Sequence, residues 1–363
     1  MVGGVAPGAH DETEFQQSAS MKKQQFASDN NAGMCPEALD AFVAANRAGH
    51  AIGYGGDHWT EDAVRRIQAL FETDADVHFV FNGTAANALA IAQIARPYNA
   101  VIAHAFSHIE MDEAGAPGFF SGGVKLMTAD TPNAKLTVEA VERLAGQFSG
   151  VHHVKAAGLS LTQSTELGTV YTREELKGLA DSAHRHGLKV HMDGARFANA
   201  VATTGATPAQ LSWQAGIDIL CFGGVKNGLA VGECIIIFDP DLRIEFEWRV
   251  KQAGHLNSKM RLVTAAWSGL LENDVWLKNA GHANAMARKL ESALLGVAGV
   301  EIMHAVEANV VFARLPESLQ AGLREKGWQF YTFLPPDGCR LMCAWDTSEA
   351  TIAQFASDLA SLG

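Results

Sequence analysis

The sequence predicts an α/β fold, with a large domain of mostly parallel sheet covered by helices and a smaller C-terminal α+β domain. Two observations set the class. Short apolar runs bounded by glycine alternate with segments of helical periodicity from residue 36 to residue 238. Beyond residue 262 a long helical stretch gives way to short strands and helices. The length of 363 residues also exceeds what one core usually carries, roughly 250 to 300 residues. The expected division is an extension over residues 1–25, a large domain over 26–268 and a small one over 269–363. Residues Met1 to Ser20 are polar, glycine-bearing and acidic and lack the basic start and apolar centre of a signal peptide, so they read as a mobile tail, with Met21 a natural alternative start.

In chain order, Pro36 sits in the first turn of a helix reaching about Arg47, and a glycine-rich loop follows from Gly49 to His58. Thr60 reads as the N-cap of a helix whose inward face is Ala63, Val64, Ile67, Leu70 and Phe71. Val77–Phe81 is a strand, and the helix Ala88–Ala95 follows Asn82-Gly83-Thr84. Unpaired N–H groups at such a junction can cradle an anion, with Gly83 allowing close approach and Thr84 adding a hydroxyl; the plainer reading is an ordinary helix cap. The strand Ala100–Ala103 opens into a loop crowded with titratable groups, among them His108, Asp112 and Glu113. A helix near 137–147, a strand over 158–163, the Thr172-capped helix 173–186 and a strand ending at Asp193-Gly194-Ala195-Arg196 come next. Two buried strands, around 219–222 and 233–238, flank Gly223-Gly224-Val225-Lys226-Asn227-Gly228. The C-terminal part reads as a helix over 262–295, a strand over 308–315, a helix over 317–326, strands over 328–333 and 339–345, and a last helix over 347–362.

Composition narrows the partners. A formal net charge of −12 without a Lys/Arg stripe gives no electrostatic footprint for nucleic acid. No apolar run approaches the roughly 18 residues of a membrane helix. Five scattered cysteines, Cys35, Cys221, Cys234, Cys339 and Cys343, show no zinc spacing, so no metal is expected and a reducing cytoplasm fits.

Lys226 is the candidate nucleophile, because an amine among apolar neighbours loses solvation as a cation and is readied for Schiff-base chemistry. Asp193 at a strand end could hold a proton on a pyridine nitrogen. Asp193-Gly194-Ala195-Arg196, Gly83-Thr84 and Lys226-Asn227-Gly228, with Ser28-Asp29, His108 before Glu113-Ala114-Gly115, and Arg340, resemble the threonine aldolase family of fold-type-I pyridoxal-phosphate enzymes over about Phe26 to Gly363. The resemblance implies pyridoxal 5'-phosphate as cofactor, Lys226 as its Schiff-base lysine and Asp193 on the pyridine nitrogen. It also implies a phosphate held by Gly83, Thr84 and Arg261, with His108 stacked on the ring. Ser28, Arg196 and Arg340 would bind the carboxylate of a β-hydroxy-α-amino acid.

The implied reaction is cleavage of L-threonine, L-allo-threonine and related β-hydroxy-α-amino acids to glycine and an aldehyde. A β-eliminating dehydratase on the same scaffold is the alternative. The base would be His108 or a second histidine aligned to His153 or His152, here taken as His153. A homodimer or homotetramer with shared sites is implied as well. The chain departs from the family at Val225, where relatives often carry a hydroxyl, and at Asp112, where some place an aromatic residue.

Overall fold

The computed structural model describes residues 25–362, so the expected N-terminal extension lies outside the described residues apart from Gln25. Seven strands form the main sheet: β1 (Asp76–Val80), β2 (Asn99–His104), β3 (Lys125–Ala129), β4 (Lys155–Thr162), β5 (Lys189–Gly194), β6 (Ile219–Phe222) and β7 (Glu233–Ile237). Their order is β1-β7-β6-β5-β4-β2-β3. The five strands from β6 across to β3 are mutually parallel, and β7 runs antiparallel to both β6 and β1. Helices cover both faces, which is why β2, β6 and β7 are buried along their whole length and read as apolar runs, with polar residues only at strand ends, Asn99, His104 and Glu233. The carboxyl ends of β2, β4, β5 and β6 therefore open on one edge of the sheet, where an open α/β fold places its ligands.

Local chemistry sets several boundaries differently from the sequence reading. The helix His58–Leu70 is capped by Asp57, whose side chain accepts the Thr60 N–H, so Thr60 is already helical. The helix Gly83–Ile94 starts five residues before its expected position, because the Asn82 side chain accepts the Ala85 N–H. The long C-terminal periodicity is two helices, Met260–Leu271 and Val275–Leu294, broken where Asn273 and Asp274 take positive φ. Short residues able to adopt that conformation stop a pattern that periodicity alone would continue.

The second sheet is antiparallel, in the order β10-β11-β9-β8, from β8 (Glu301–Ile302), β9 (Val310–Arg314), β10 (Tyr331–Leu334) and β11 (Gly338–Met342). Phe26 crosses to this sheet: its N–H bonds the Gln329 carbonyl, and its ring stacks on Trp328 at 5.4 Å. The helix Val275–Leu294 serves two cores, Val275, Trp276 and Ala280 in the first and Met286, Leu290 and Leu294 in the second. This places residues from the chain's start and end beside the strand ends of the large sheet.

Two glycines bring β5 and β6 together at that edge. A Cβ on Gly194 would lie 2.7 Å from the Cys221 carbonyl oxygen, and one on Gly223 only 2.4 Å from that of Ala195. Both obstacles are backbone, so neither yields easily. Gly223→Ala is expected to destabilise the fold by about 1–3 kcal/mol and to push the Lys226 turn away from Asp193. A lowered thermal midpoint together with weaker cofactor retention checks it.

Candidate active site

Lys226 lies in the short 3-10 turn Val225–Asn227 just after β6. The turn is tied at its far side by amides, Asn227 donating to the Trp276 carbonyl at 2.7 Å and Asn279 to the Asn227 carbonyl at 2.9 Å. The Lys226 ammonium makes no hydrogen bond among the described residues. Burial, and then the neighbouring Arg196 charge, lower its pKa, against the opposing pull of Asp29, Asp193 and Glu233. It is thus a half-buried amine biased toward its neutral, nucleophilic form.

Asp193 closes β5 with its carboxylate held at both oxygens: the Ala195 N–H donates to Oδ1 at 2.9 Å and Asn87 Nδ2 to Oδ2 at 2.8 Å. Burial alone would raise its pKa, but the charges of Lys226 and His108 and the Ala195 bond overcome this and hold it below the usual carboxylate range. An aspartate so held is favoured as an anion and could face a cationic ring nitrogen.

Asn87 spends its second proton on Glu113 Oε1, also at 2.8 Å, and the same oxygen receives His108 Nδ1 at 2.8 Å. One buried carboxamide therefore links the aspartate at the β5 end to the imidazole at the β2 end. The Glu113 hydrogen bond raises the pKa of His108 against the cost of burial, while burial lifts Glu113's own. A histidine whose folded pKa is raised stabilises the fold below its unfolded pKa and loses that contribution as pH rises through the folded value. Glu113→Gln removes the charged acceptor, so the His108 titration followed by NMR is expected to move to lower pH.

Glu166 completes this corner. Its Oε1 accepts the His108 backbone N–H at 2.9 Å and the Thr162 hydroxyl at 2.8 Å, and burial pushes its carboxyl up to about 7.

Ser28, Arg196 and Arg340 are gathered around the segment Ala27–Asp29. Ser28 Oγ accepts the Asn30 N–H at 3.2 Å, and Arg340 Nη2 donates to the Ala27 carbonyl at 3.1 Å. Arg196 forks onto buried Asp29 through Nε at 2.7 Å and Nη2 at 2.9 Å, while Asn309 also donates to Asp29 at 3.0 Å. The Arg340 guanidinium lies 5.3 Å from the ring centroids of both Tyr331 and Phe333. Two permanently charged guanidinium groups thus converge on the Ala27–Asp29 segment, and the Arg196 charge acts on both Arg340 and Lys226.

Gly83 and Thr84 open the helix Gly83–Ile94 with free space at the Gly83 Cβ position, so its first N–H groups can be approached. Arg261 does not join them within one chain. Its Nη2 donates to the Gly49 carbonyl at 3.0 Å, its Nε is buried without a partner, and no contact links it to Gly83 or Thr84 among the described residues.

His153 needs a correction. It precedes β4, whose carboxyl end leads to Glu166, and eight strand residues at about 3.3 Å each separate it from that end by roughly 26 Å. Its ring stacks on Phe148 at 4.9 Å in a surface groove with His186. Among the described residues His108, not His153, is the imidazole that meets Glu113 beside Asn87.

Sequence reasoning missed Asn87, Glu166 and the Asp29–Arg196 pair. Asn87 did carry a signal, a lone amide in the alanine-rich interior of a buried helix, where an unpaired polar group would be costly.

The set fits pyridoxal phosphate on this structure's own terms. An amine without a partner, an aspartate kept anionic and an approachable helix start stand together, and Ser107 Oγ, Ser164 Oγ, Glu166 Oε2 and Arg340 Nε are buried without partners around them.

Comparison with known proteins gives the same direction. The model of the family described as beta-eliminating lyase matches residues 25–318. The chain is 49% identical to the low specificity L-threonine aldolase of Pseudomonas sp. (strain NCIMB 10558), covering 93% of this chain and 97% of that protein. It is 50% identical to the one of Pseudomonas aeruginosa over the same shares. Among solved structures, the threonine aldolase of Leishmania major superposes with a TM-score of 0.88 at 32% identity, covering 93% and 99% of the two chains. A serine palmitoyltransferase with pyridoxal phosphate, 17% identical with a TM-score of 0.70 over 93% and 87%, shares the fold.

Proposed function

The chain belongs to the beta-eliminating lyase family and, within its reach, to the threonine aldolases, and from this we propose that it is a pyridoxal-phosphate-dependent aldehyde-lyase. Its reaction is cleavage of L-threonine, L-allo-threonine and related β-hydroxy-α-amino acids to glycine and an aldehyde. The observation that carries this reading is the half identity to curated low-specificity aldolases over almost the whole chain.

Pyridoxal phosphate, when bound, supplies a carbonyl that joins an amino group and a ring that accepts the electron pair released at Cα. The chain's part is to hold and to move protons. Lys226 offers the amine, and Asp193, clamped by Asn87 and Ala195, keeps the ring nitrogen protonated. Gly83 and Thr84 receive the phosphate at the helix start. Arg196 and Arg340 face the substrate carboxylate, with Ser28 beside them; Arg196 keeps Nη1 free of partners among the described residues. A carboxylate anchored there fixes which bond to Cα stands across the ring.

His108 would cover the ring and exchange the β-hydroxyl proton. With Nδ1 committed to Glu113, Nε2 is the nitrogen left for that exchange. Arg261, at the start of the helix Met260–Leu271, serves the phosphate from a second copy of the chain.

The protein works as a homodimer or homotetramer. Exposed Phe81 and Tyr54, 64% and 56% accessible, leave apolar surface beside the cradle for a second copy. The cytoplasm suits five free, buried thiols. No described helix is long and apolar enough to cross a membrane.

Incubation with L-threonine, L-allo-threonine and L-phenylserine, with glycine, aldehyde and ammonia all quantified, tests the reaction. Equal amounts of glycine and aldehyde are expected; ammonia with a keto acid in their place would make the chain a β-eliminating dehydratase.

A further inference from the structure

The turn that presents Lys226 is fastened asymmetrically. After the lysine, neutral amides hold it, through Asn227 and Asn279, and the Cys35 N–H bonds the Gly228 carbonyl at 2.8 Å. Before the lysine the tie is a carboxyl. Glu233, the first residue of β7 and only 6% exposed, turns Oε2 onto the Gly224 N–H at 2.5 Å and the Val225 N–H at 3.4 Å. The side chain at 225 is a valine and adds no polar bond of its own. Backbone bonds hold the Gly223 N–H, on the Gly194 carbonyl at 3.0 Å, and the Gly224 carbonyl, under the Asn227 and Leu229 N–H groups, but among the described residues Glu233 is the side chain that takes the N–H groups of Gly224 and Val225. Trp267 packs where a Gly224 Cβ would be, closing the turn from the other face.

Resting on the reading of Lys226 as the cofactor lysine, we propose that Glu233 is a positioning residue for that lysine. From β7 it clamps the backbone just ahead of Lys226 and adds its negative charge to those of Asp29 and Asp193, which favour the protonated amine. A buried carboxyl is costly without donors, and here its donors are the two amides whose placement sets the lysine's reach. The groups facing it are the Lys226 ammonium on the turn, Asp193 on β5, and the thiols of Cys221 on β6 and of its neighbour Cys234. Lys226 is the one cation among them, so the charge of Glu233 acts chiefly there. Burial pushes this carboxyl up to about 7, which makes its charge variable near neutrality.

Two variants of the full-length, cofactor-loaded protein separate charge from clamp. Glu233→Gln keeps an acceptor for the two amides and removes the charge. The pH midpoint of the absorbance of the Lys226-bound cofactor is expected to fall by about half a unit to one unit, because a nearby anion favours the protonated form. The turn's amide hydrogen exchange should stay as in the unmutated protein, and kcat should fall more than KM rises. Glu233→Val removes both, and the segment 223–228 should also exchange faster. An unchanged midpoint in Glu233→Gln, or unchanged exchange in Glu233→Val, overturns the proposal.

Should both variants fail to fold, Glu233→Asp keeps the charge and shortens the reach to the two amides. Faster exchange of the segment 223–228 is expected, and unchanged exchange overturns the proposal. A protein that never shows a lysine-bound cofactor absorbance instead refutes the reading of Lys226 itself.

Discussion

Lys226→Ala is expected to remove the yellow colour of the cofactor-loaded protein and to lower aldehyde formation by at least about three orders of magnitude, since no other amine can replace the nucleophile. The geometry leaves no substitute. The lysine stands alone on the turn after β6, and the other cations gathered there, Arg196 and Arg340, are guanidinium groups that do not deprotonate in proteins. The fold should survive the change, because Lys226 has no hydrogen bond among the described residues and its burial is a cost to stability. A midpoint of thermal unfolding equal to or above that of the unmutated apoprotein, together with lost turnover, checks both halves of this expectation.

Asp29→Ala is expected to have the largest effect on stability, about 3–5 kcal/mol, because it strands a buried guanidinium without its carboxylate. Asp29 is almost wholly buried, takes two bonds from Arg196 and one from Asn309, and ties the start of the chain to the strand ends of the large sheet. Burial would raise its pKa, but Arg196 holds it below the usual carboxylate range. A carboxyl with a depressed folded pKa gives its stability above the unfolded pKa and loses it as pH falls through the folded one. The variant should therefore lose most at neutral pH and least in acid, where the native carboxyl is itself protonated. Denaturant midpoints measured at neutral and acidic pH check the size and the sign. KM for the amino acid should rise in parallel, since Arg196 is then free to turn away from the substrate carboxylate.

How much of this was legible in the sequence follows from the range of each interaction. The lysine turn, the aspartate at the end of β5 and the glycine-threonine helix start were all legible, because an apolar run meeting glycine marks a strand end whatever the rest of the chain does. The partners that tune them were hidden. Asn87 and Asp193 are 106 positions apart, Asp29 and Arg196 are 167 apart, and nothing local reports either pair. Cap choice between Asp57 and Thr60 turned on which side chain met which N–H, a matter of one turn that periodicity does not resolve. His153 misled for a related reason: its place in the sequence lies close to β4, but at the amino end of that strand, and the alternation of strand and helix does not say which end faces the site until the direction of each strand is followed.

Lys226 Nζ is the nitrogen that would carry the cofactor, so the most direct measurement is covalent. Borohydride reduction of the cofactor-loaded protein, followed by peptide mass mapping, should place a single pyridoxyl group on Lys226. A pyridoxyl group on another lysine, with Lys226 unmodified, would contradict the site built here.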